Sequence, residues 1–273
     1  GAGNDLVLGD NVQVSYTPNT EQLLQVVSTD TTNLTGGNDV IDTGNGNNLV
    51  VAGVGTDQVS AGTGSDLVIG DNGQIDWTTA GEYSQIQTTD LGLGAADDLR
   101  VGDGDNIVAG GFGGDVIETG VGIDLILGDN GDLQYTTDGS GNAILTLAQT
   151  TDTTTATGGD DVIVSGGGTA DNLVLAGMGD DRVNQPALNA GDPVPATSTG
   201  TDTVFGDNGL VTWDIAGLIT GFESTQTDLG GNDAIAVGDG DNTVVGGYGN
   251  DSIVAGAGND LVLGDNVQVS YTP

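Results

Sequence analysis

The sequence predicts an all-β fold: a parallel β-roll, or β-solenoid, with β-hairpin insertions and four modules per 255-residue period. Three observations predict it. A nine-residue pattern of glycine, aspartate and an aliphatic residue recurs along the chain. The tripeptide Gly-Asp-Asn recurs at Gly9, Gly70, Gly128, Gly206 and Gly264. The first eighteen residues, Gly1–Pro18, return letter for letter as Gly256–Pro273. Self-similarity on these scales is the mark of a repeat architecture, which works through length and repeated surface.

The Gly-Asp-Asn sites divide the chain into the end of a preceding module (1–8), four modules (9–69, 70–127, 128–205 and 206–263) and the start of the next copy (264–273), read together as one continuous solenoid. Inside the first module Asp39, Asn48, Asp57 and Asp66 are nine residues apart. Each follows a glycine by two positions and precedes an aliphatic residue by two. The second module repeats this order with Asp97, Asn106, Asp115 and Asp124, and the fourth with Asp233, Asn242, Asp251 and Asp260. The third reads Asp161, Asn172, Asp181 and Asp202, with two extra residues within 166–169 and a longer proline-containing insertion over 184–199. Asp5 holds the same place in the nonad that opens the chain.

The glycines and Asp of a nonad allow a tight turn, and the L-V-L type segment after it is a very short strand. Two nonads then close one coil of about eighteen residues, with the aliphatic residue pointing inward and coils stacked about 4.8 Å apart. Stacking places Asp39 over Asp57 on one edge and Asn48 over Asp66 on the other. Carboxylates so close among turn carbonyls suit a hard, oxygen-seeking cation. The Asn edge, with less charge, predicts weaker or differently coordinated sites.

After each Gly-Asp-Asn the pattern changes to paired alternating strands, VQVSY with QLLQVV, QIDWT with YSQIQT, DLQYTT with AILTLAQ, and LVTWDI with FESTQT. These predict hairpins. Tyr16, Trp77, Tyr135 and Trp213 hold matching positions on the first strands. They either cap the end of the core or pack on another chain. The series Asp10, Asp71, Asp129, Asp207 and Asp265 either forms the turn that starts each hairpin or supplies additional metal ligands.

Forty acidic residues face two basic ones, and there is no Lys, His or Cys, for a net charge of −38. Such a chain repels itself strongly, while its regular apolar spacing argues against a disordered polymer. A fold that needs bound cations reconciles the two. The charge excludes nucleic acid and acidic membranes as partners, and no apolar run approaches the roughly 20 residues of a membrane span. Without His or Cys there is no Ser-His-Asp, Cys-His or zinc chemistry. The Gly-Asp-Gly-Asp-Asn runs at Gly102 and Gly238 precede no helix, as a phosphate loop would require. Acidic pairs such as Asp97-Asp98 and Asp160-Asp161 lie within the repeating nonads rather than at one singular place, which marks scaffold rather than one catalytic pair.

Gly110–Glu118 reads GGFGGDVIE and fits the nonapeptide G-G-x-G-x-D-x-U-x at every position, and Thr119–Leu127 and Ala255–Leu263 fit with the first glycine replaced. The chain resembles the RTX family of hemolysin-type calcium-binding repeats of secreted bacterial proteins. The resemblance implies a parallel β-roll, multiple Ca²⁺ ions between turns and export in an unfolded state. It also implies ligands at Asp39, Asp57, Asp66, Asp97, Asp115, Asp124, Asp161, Asp181, Asp202, Asp233, Asp251 and Asp260. Asn48, Asn106, Asn172 and Asn242 depart from the family pattern, as do the hairpins.

These features give the expectation of a non-enzymatic structural segment, secreted to the cell surface. It would be the shaft of an adhesin, appendage or filament whose partners are neighbouring copies of the repeat, or other chains in a multi-stranded fibre. Each copy would add roughly 40–60 Å. Two alternatives remain: a binding module that uses the hairpins or segment 184–199, and the Ca²⁺-dependent export region of a larger toxin or hydrolase.

Overall fold

The computed structural model describes residues 1–186, 195 and 198–271, which form three β-sheets and no helix. The central sheet has nine parallel strands: Leu6–Leu8, Leu49–Val51, Leu67–Ile69, Ile107–Ala109, Leu125–Leu127, Leu173–Leu175, Thr203–Phe205, Thr243–Gly247 and Leu261–Asp265. The outer parallel sheet has eight: Val40–Gly44, Gln58–Ala61, Asp98–Val101, Val116–Glu118, Val162–Val164, Arg182–Val183, Ala234–Ala236 and Ser252–Val254. The first nonad of each pair feeds the outer sheet and the second feeds the central sheet, so two nonads close one coil of a β-roll.

The hairpins build the third sheet. Val12–Tyr16, Leu23–Ser28, Gly73–Trp77, Tyr83–Thr88, Gly131–Thr137, Ala143–Thr150, Gly209–Trp213, Ile219–Ser224 and Gln268–Ser270 pair side by side and antiparallel. The hairpins therefore form one wall along the roll and do not project from it. Each pairs with the next, and one row of inward residues crosses the whole sheet: Val14, Val26, Ile75, Ile86, Leu133, Ala148, Val211, Phe222 and Val269.

Three sheets enclose two cores. Ile41, Val50, Val59, Val68, Leu99, Val108, Ile117 and Ile126 belong to the core between the outer and central sheets. Leu49, Val51, Leu67, Ile69, Ile75, Ile86, Leu127, Leu133, Leu175, Phe205 and Phe222 belong to the core between the central and hairpin sheets. The central sheet is covered on both faces, so its strands are apolar at consecutive positions, as in LVV, LVI and LVL. The outer sheet has one wet face, and its strands alternate, as in QVSA and DLRV. Each fully buried Ile or Leu contributes about 1.5–3 kcal/mol.

The hairpin aromatics line the second core along its flank and do not close the end of the roll. Trp77 is buried there, Tyr135 and Trp213 pack against it, and Tyr16 is exposed. Trp77 and Tyr83 have ring centroids 5.6 Å apart, and Tyr83 and Tyr135 6.0 Å. Most of segment 184–199 lies outside the described residues. From Leu6–Leu8 to its sequence twin Leu261–Leu263 the central sheet takes eight strand steps, about 38 Å at roughly 4.8 Å each. This is just under the span expected from sequence, because each Gly-Asp-Asn period adds two coils and the hairpin lies beside them rather than between them.

Candidate metal centre

The inward Asp of each nonad ends a glycine turn and precedes a strand, so stacked coils place these residues in two vertical ladders. On the first ladder every rung is aspartate: Asp39, Asp57, Asp97, Asp115, Asp161, Asp181, Asp233 and Asp251. The backbone N–H of each rung donates to Oδ1 of the next. The distances are 2.7 Å from Asp39 to Asp57, from Asp57 to Asp97 and from Asp115 to Asp161, and at most 3.0 Å elsewhere. One oxygen of every carboxylate after Asp39 is thus spent on the preceding coil. The other, Oδ2, is buried without a hydrogen-bond donor in all eight.

The second ladder runs Asp5, Asn48, Asp66, Asn106, Asp124, Asn172, Asp202, Asn242 and Asp260. It uses the same link, N–H to the next Oδ1, at 2.8–3.1 Å. Here Asp and Asn alternate strictly. Asp66 and Asp124 again carry an orphaned buried Oδ2, whereas the Ser198 hydroxyl donates to Oδ2 of Asp202 at 3.0 Å. Asp5 is exposed, while Asp260 is half-buried.

A charged oxygen buried without a partner costs several kcal/mol, and the ladders hold ten of them. The only arginines, Arg100 and Arg182, lie on the outer sheet, where Arg100 pairs with Asp98 and Glu118 at 2.7 Å each. Burial, reinforced by neighbouring carboxylates, pushes Asp115, Asp161 and Asp181 well above the usual carboxylate range. Burial likewise raises Asp57 and Asp124 to about 6 and Asp233 to about 9.

The Gly-Asp-Asn tripeptide performs three separate tasks. Its glycine faces a neighbouring coil too closely for a side chain: a Cβ on Gly206 would lie 2.7 Å from the Gly246 carbonyl oxygen. Its Asp accepts backbone N–H groups from two different segments. Asp71 takes Ala95 and Phe112, Asp129 takes Gly159 and Met178, and Asp207 takes Gly231 and Tyr248. Asp10 takes Gly37 at 3.2 Å. Asp265 is exposed at the edge of the central sheet. Its Asn closes the hairpin exit, Asn11 on Asp30 and Asn130 on Asp152. Asp71, Asp129 and Asp207 thus clasp two segments through their carboxylates. Burial and the adjacent first ladder raise Asp71 and Asp129 well above normal, and burial raises Asp207 to about 7.

Two further sets of contacts had no weight in the sequence reading. Exposed turn residues form an outer ladder of opposite lean, in which Asn38, Asn47, Asp103, Asp105, Asp239 and Asp241 accept the N–H of the residue one coil further on. The last residue of each hairpin, Ser28, Thr88, Thr150 or Ser224, accepts the N–H of the strand that starts the next hairpin. Asn or Asp beside the second turn glycine, and Ser or Thr before a Thr at the end of each hairpin, were the available signals.

The ladder spacing, glycine turns and inward carboxylates suit a calcium-binding repeat. Residues 33–68 and 229–266 match the RTX calcium-binding nonapeptide repeat (4 copies). The two matched stretches hold the rungs from Asp39 to Asp66 and from Asp233 to Asp260, with the same ladder contacts as the coils between them. No curated protein and no solved structure matches the chain. The donor set fits Ca²⁺, which takes hard oxygen ligands, carboxylates and backbone carbonyls. No three acidic side chains of the described residues gather as a self-contained cage.

Proposed function

We propose that this chain is a non-enzymatic structural segment of a secreted, Ca²⁺-rigidified tandem-repeat solenoid, the shaft of a bacterial surface adhesin, appendage or extracellular filament. The carrying observation is the unbroken row of eight aspartates, six of them buried, all with Oδ2 left without a donor and all but Asp39 with Oδ1 bound to the adjoining coil. Such a row, when ionised, calls for divalent charge between the coils. The residues that would hold Ca²⁺ are the first-ladder aspartates, with Asp66 and Asp124 of the second. Bound there, the ion supplies the positive charge the chain lacks. The return of Gly1–Pro18 as Gly256–Pro273 gives equal steps per copy, so that shaft length follows copy number.

In this reading the chain stays unfolded where Ca²⁺ is scarce and folds outside the cell, since extracellular Ca²⁺ modules bind at about 10⁻⁴–10⁻³ M. Electron microscopy of the native cell surface tests the shaft. Fibres with an axial repeat near 38 Å are expected, and smooth cells releasing soluble protein would exclude it.

A further inference from the structure

The two ladders differ at one atom. On the second ladder, Oδ1 of each Asn accepts the N–H of the preceding rung: Asn48 from Asp5, Asn106 from Asp66 and Asn242 from Asp202. This fixes the amide orientation, because the flipped amide would set two donors against each other. The Nδ2 group therefore points into the turn, where an Asp carries its orphaned oxygen. There it meets three oxygens: Asn48 donates to Gly44 O (3.3 Å), Gly46 O (2.9 Å) and Asp66 Oδ1 (2.8 Å). Asn106 repeats the set with Gly102 O (3.0 Å), Gly104 O (2.8 Å) and Asp124 Oδ1 (3.0 Å). Asn242 does so with Gly238 O, Gly240 O and Asp260 Oδ1 at 3.0–3.2 Å.

We propose that at Asn48, Asn106 and Asn242 the side-chain amide takes the place of a cation. These turns then bind no Ca²⁺, and the ions are confined to the Asp turns. Two turn carbonyls and the carboxylate of the next rung are the oxygens a divalent ion would gather. The amide's partial positive charge satisfies them at hydrogen-bond distance, with no net charge introduced. The same ladder contains its own comparison: Asp66 and Asp124, one rung from an Asn, leave Oδ2 without a donor, while each Asn leaves nothing unpaired. Asn172 sits in the turn widened by the insertion at 166–169 and meets Gly166 O at 3.5 Å without the second turn carbonyl, so it is left out of the assignment.

The proposal rests on the reading of the Asp turns as Ca²⁺ sites, and the test separates the two. Ca²⁺ bound at saturation is measured by elemental analysis on the full chain and on N48D/N106D/N242D, with N106D alone as a smaller perturbation. The triple variant is expected to gain about three ions and N106D about one. Unchanged stoichiometry in both, or anomalous scattering from calcium at the Asn turns of the wild type, overturns the assignment. NMR exchange of the Asn side-chain amides supplies a readout independent of ion count. Slow exchange at Asn48, Asn106 and Asn242 is expected, and exchange as fast as that of an exposed Asn overturns it. A wild type that binds no Ca²⁺ at all, yet keeps these amides protected, removes the Ca²⁺-shaft reading and leaves the amide network standing.

Discussion

At the scale of one residue, the ladders make opposite demands on aspartate with and without metal. Asp161 is fully buried, accepts the Asp115 N–H through Oδ1 and has no donor for Oδ2. Asp161→Asn keeps the acceptor, removes the buried charge and supplies an N–H where the second ladder has one. Thermal melts in saturating Ca²⁺ should show the variant less stable by about 1–3 kcal/mol, and at limiting Ca²⁺, where the wild type is only partly folded, the order should reverse. Equal shifts in both media would contradict a metal role for this rung. Protons act in the same sense as the substitution. Burial raises Asp57 to about 6, Asp207 to about 7 and Asp233 to about 9, so between pH 4 and 9 the folded chain binds more protons than the unfolded chain. Metal-free stability therefore falls as pH rises through this window. In Ca²⁺ the order reverses, because the ion competes with protons for the carboxylates. The β signal in circular dichroism at pH 5 and pH 8, read at limiting and at saturating Ca²⁺, should show the crossing.

At the scale of elements, the coil and the hairpin are held by different forces. The coil is fixed by ladder contacts and tight glycine turns. Gly206→Ala sets a methyl group 2.7 Å from the Gly246 carbonyl oxygen and should cost about 1–3 kcal/mol in a denaturation series. The hairpin sheet is fixed by its inward apolar row, and Leu133, fully buried in it, should cost about 2–5 kcal/mol when cut to alanine. The nonads were legible in the sequence because a period of nine repeats both the turn chemistry and the inward aliphatic residue. The hairpins were legible as hairpins but not as one sheet. Pairing of Val26 with Ile75, or of Ile86 with Leu133, joins strands about 50 residues apart, and alternation within each strand carries no register between them. The second core had a signal in the all-apolar LVL strands, which only a sheet covered on both faces requires. For the Gly-Asp-Asn aspartates, the sequence offered a turn or a ligand. The two-sided clasp depends on Phe112, Met178 and Tyr248 from the following coil, which no local pattern displays.

At the scale of the whole molecule, charge and topology together set the conditions under which the fold exists. A net charge of −38 condensed into stacked coils opposes folding through self-repulsion, and the apolar gain of two cores is set against it. Ions that bind only the folded chain each add RT ln(1 + [L]/Kd), about 2.7 kcal/mol at a hundredfold excess over Kd. Contributions over a row of sites make folding steeply dependent on Ca²⁺ concentration. Circular dichroism should therefore show a cooperative β transition on adding Ca²⁺ and its loss in chelator, and a β spectrum indifferent to both would contradict the coupling. The same stacking governs length. The central sheet passes through one period in eight strand steps, and Leu261–Leu263, the sequence twin of Leu6–Leu8, pairs with Thr243–Val245 at the opposite end of that sheet. Chains of one, two and three 255-residue copies, measured by small-angle scattering in Ca²⁺, should lengthen by about 38 Å per copy. Their cross-section should stay constant, because the hairpins add a flank wall and no axial rise. An increment well above this would mean that the coils part at the Gly-Asp-Asn junctions, and a falling increment would mean that the rod bends back on itself.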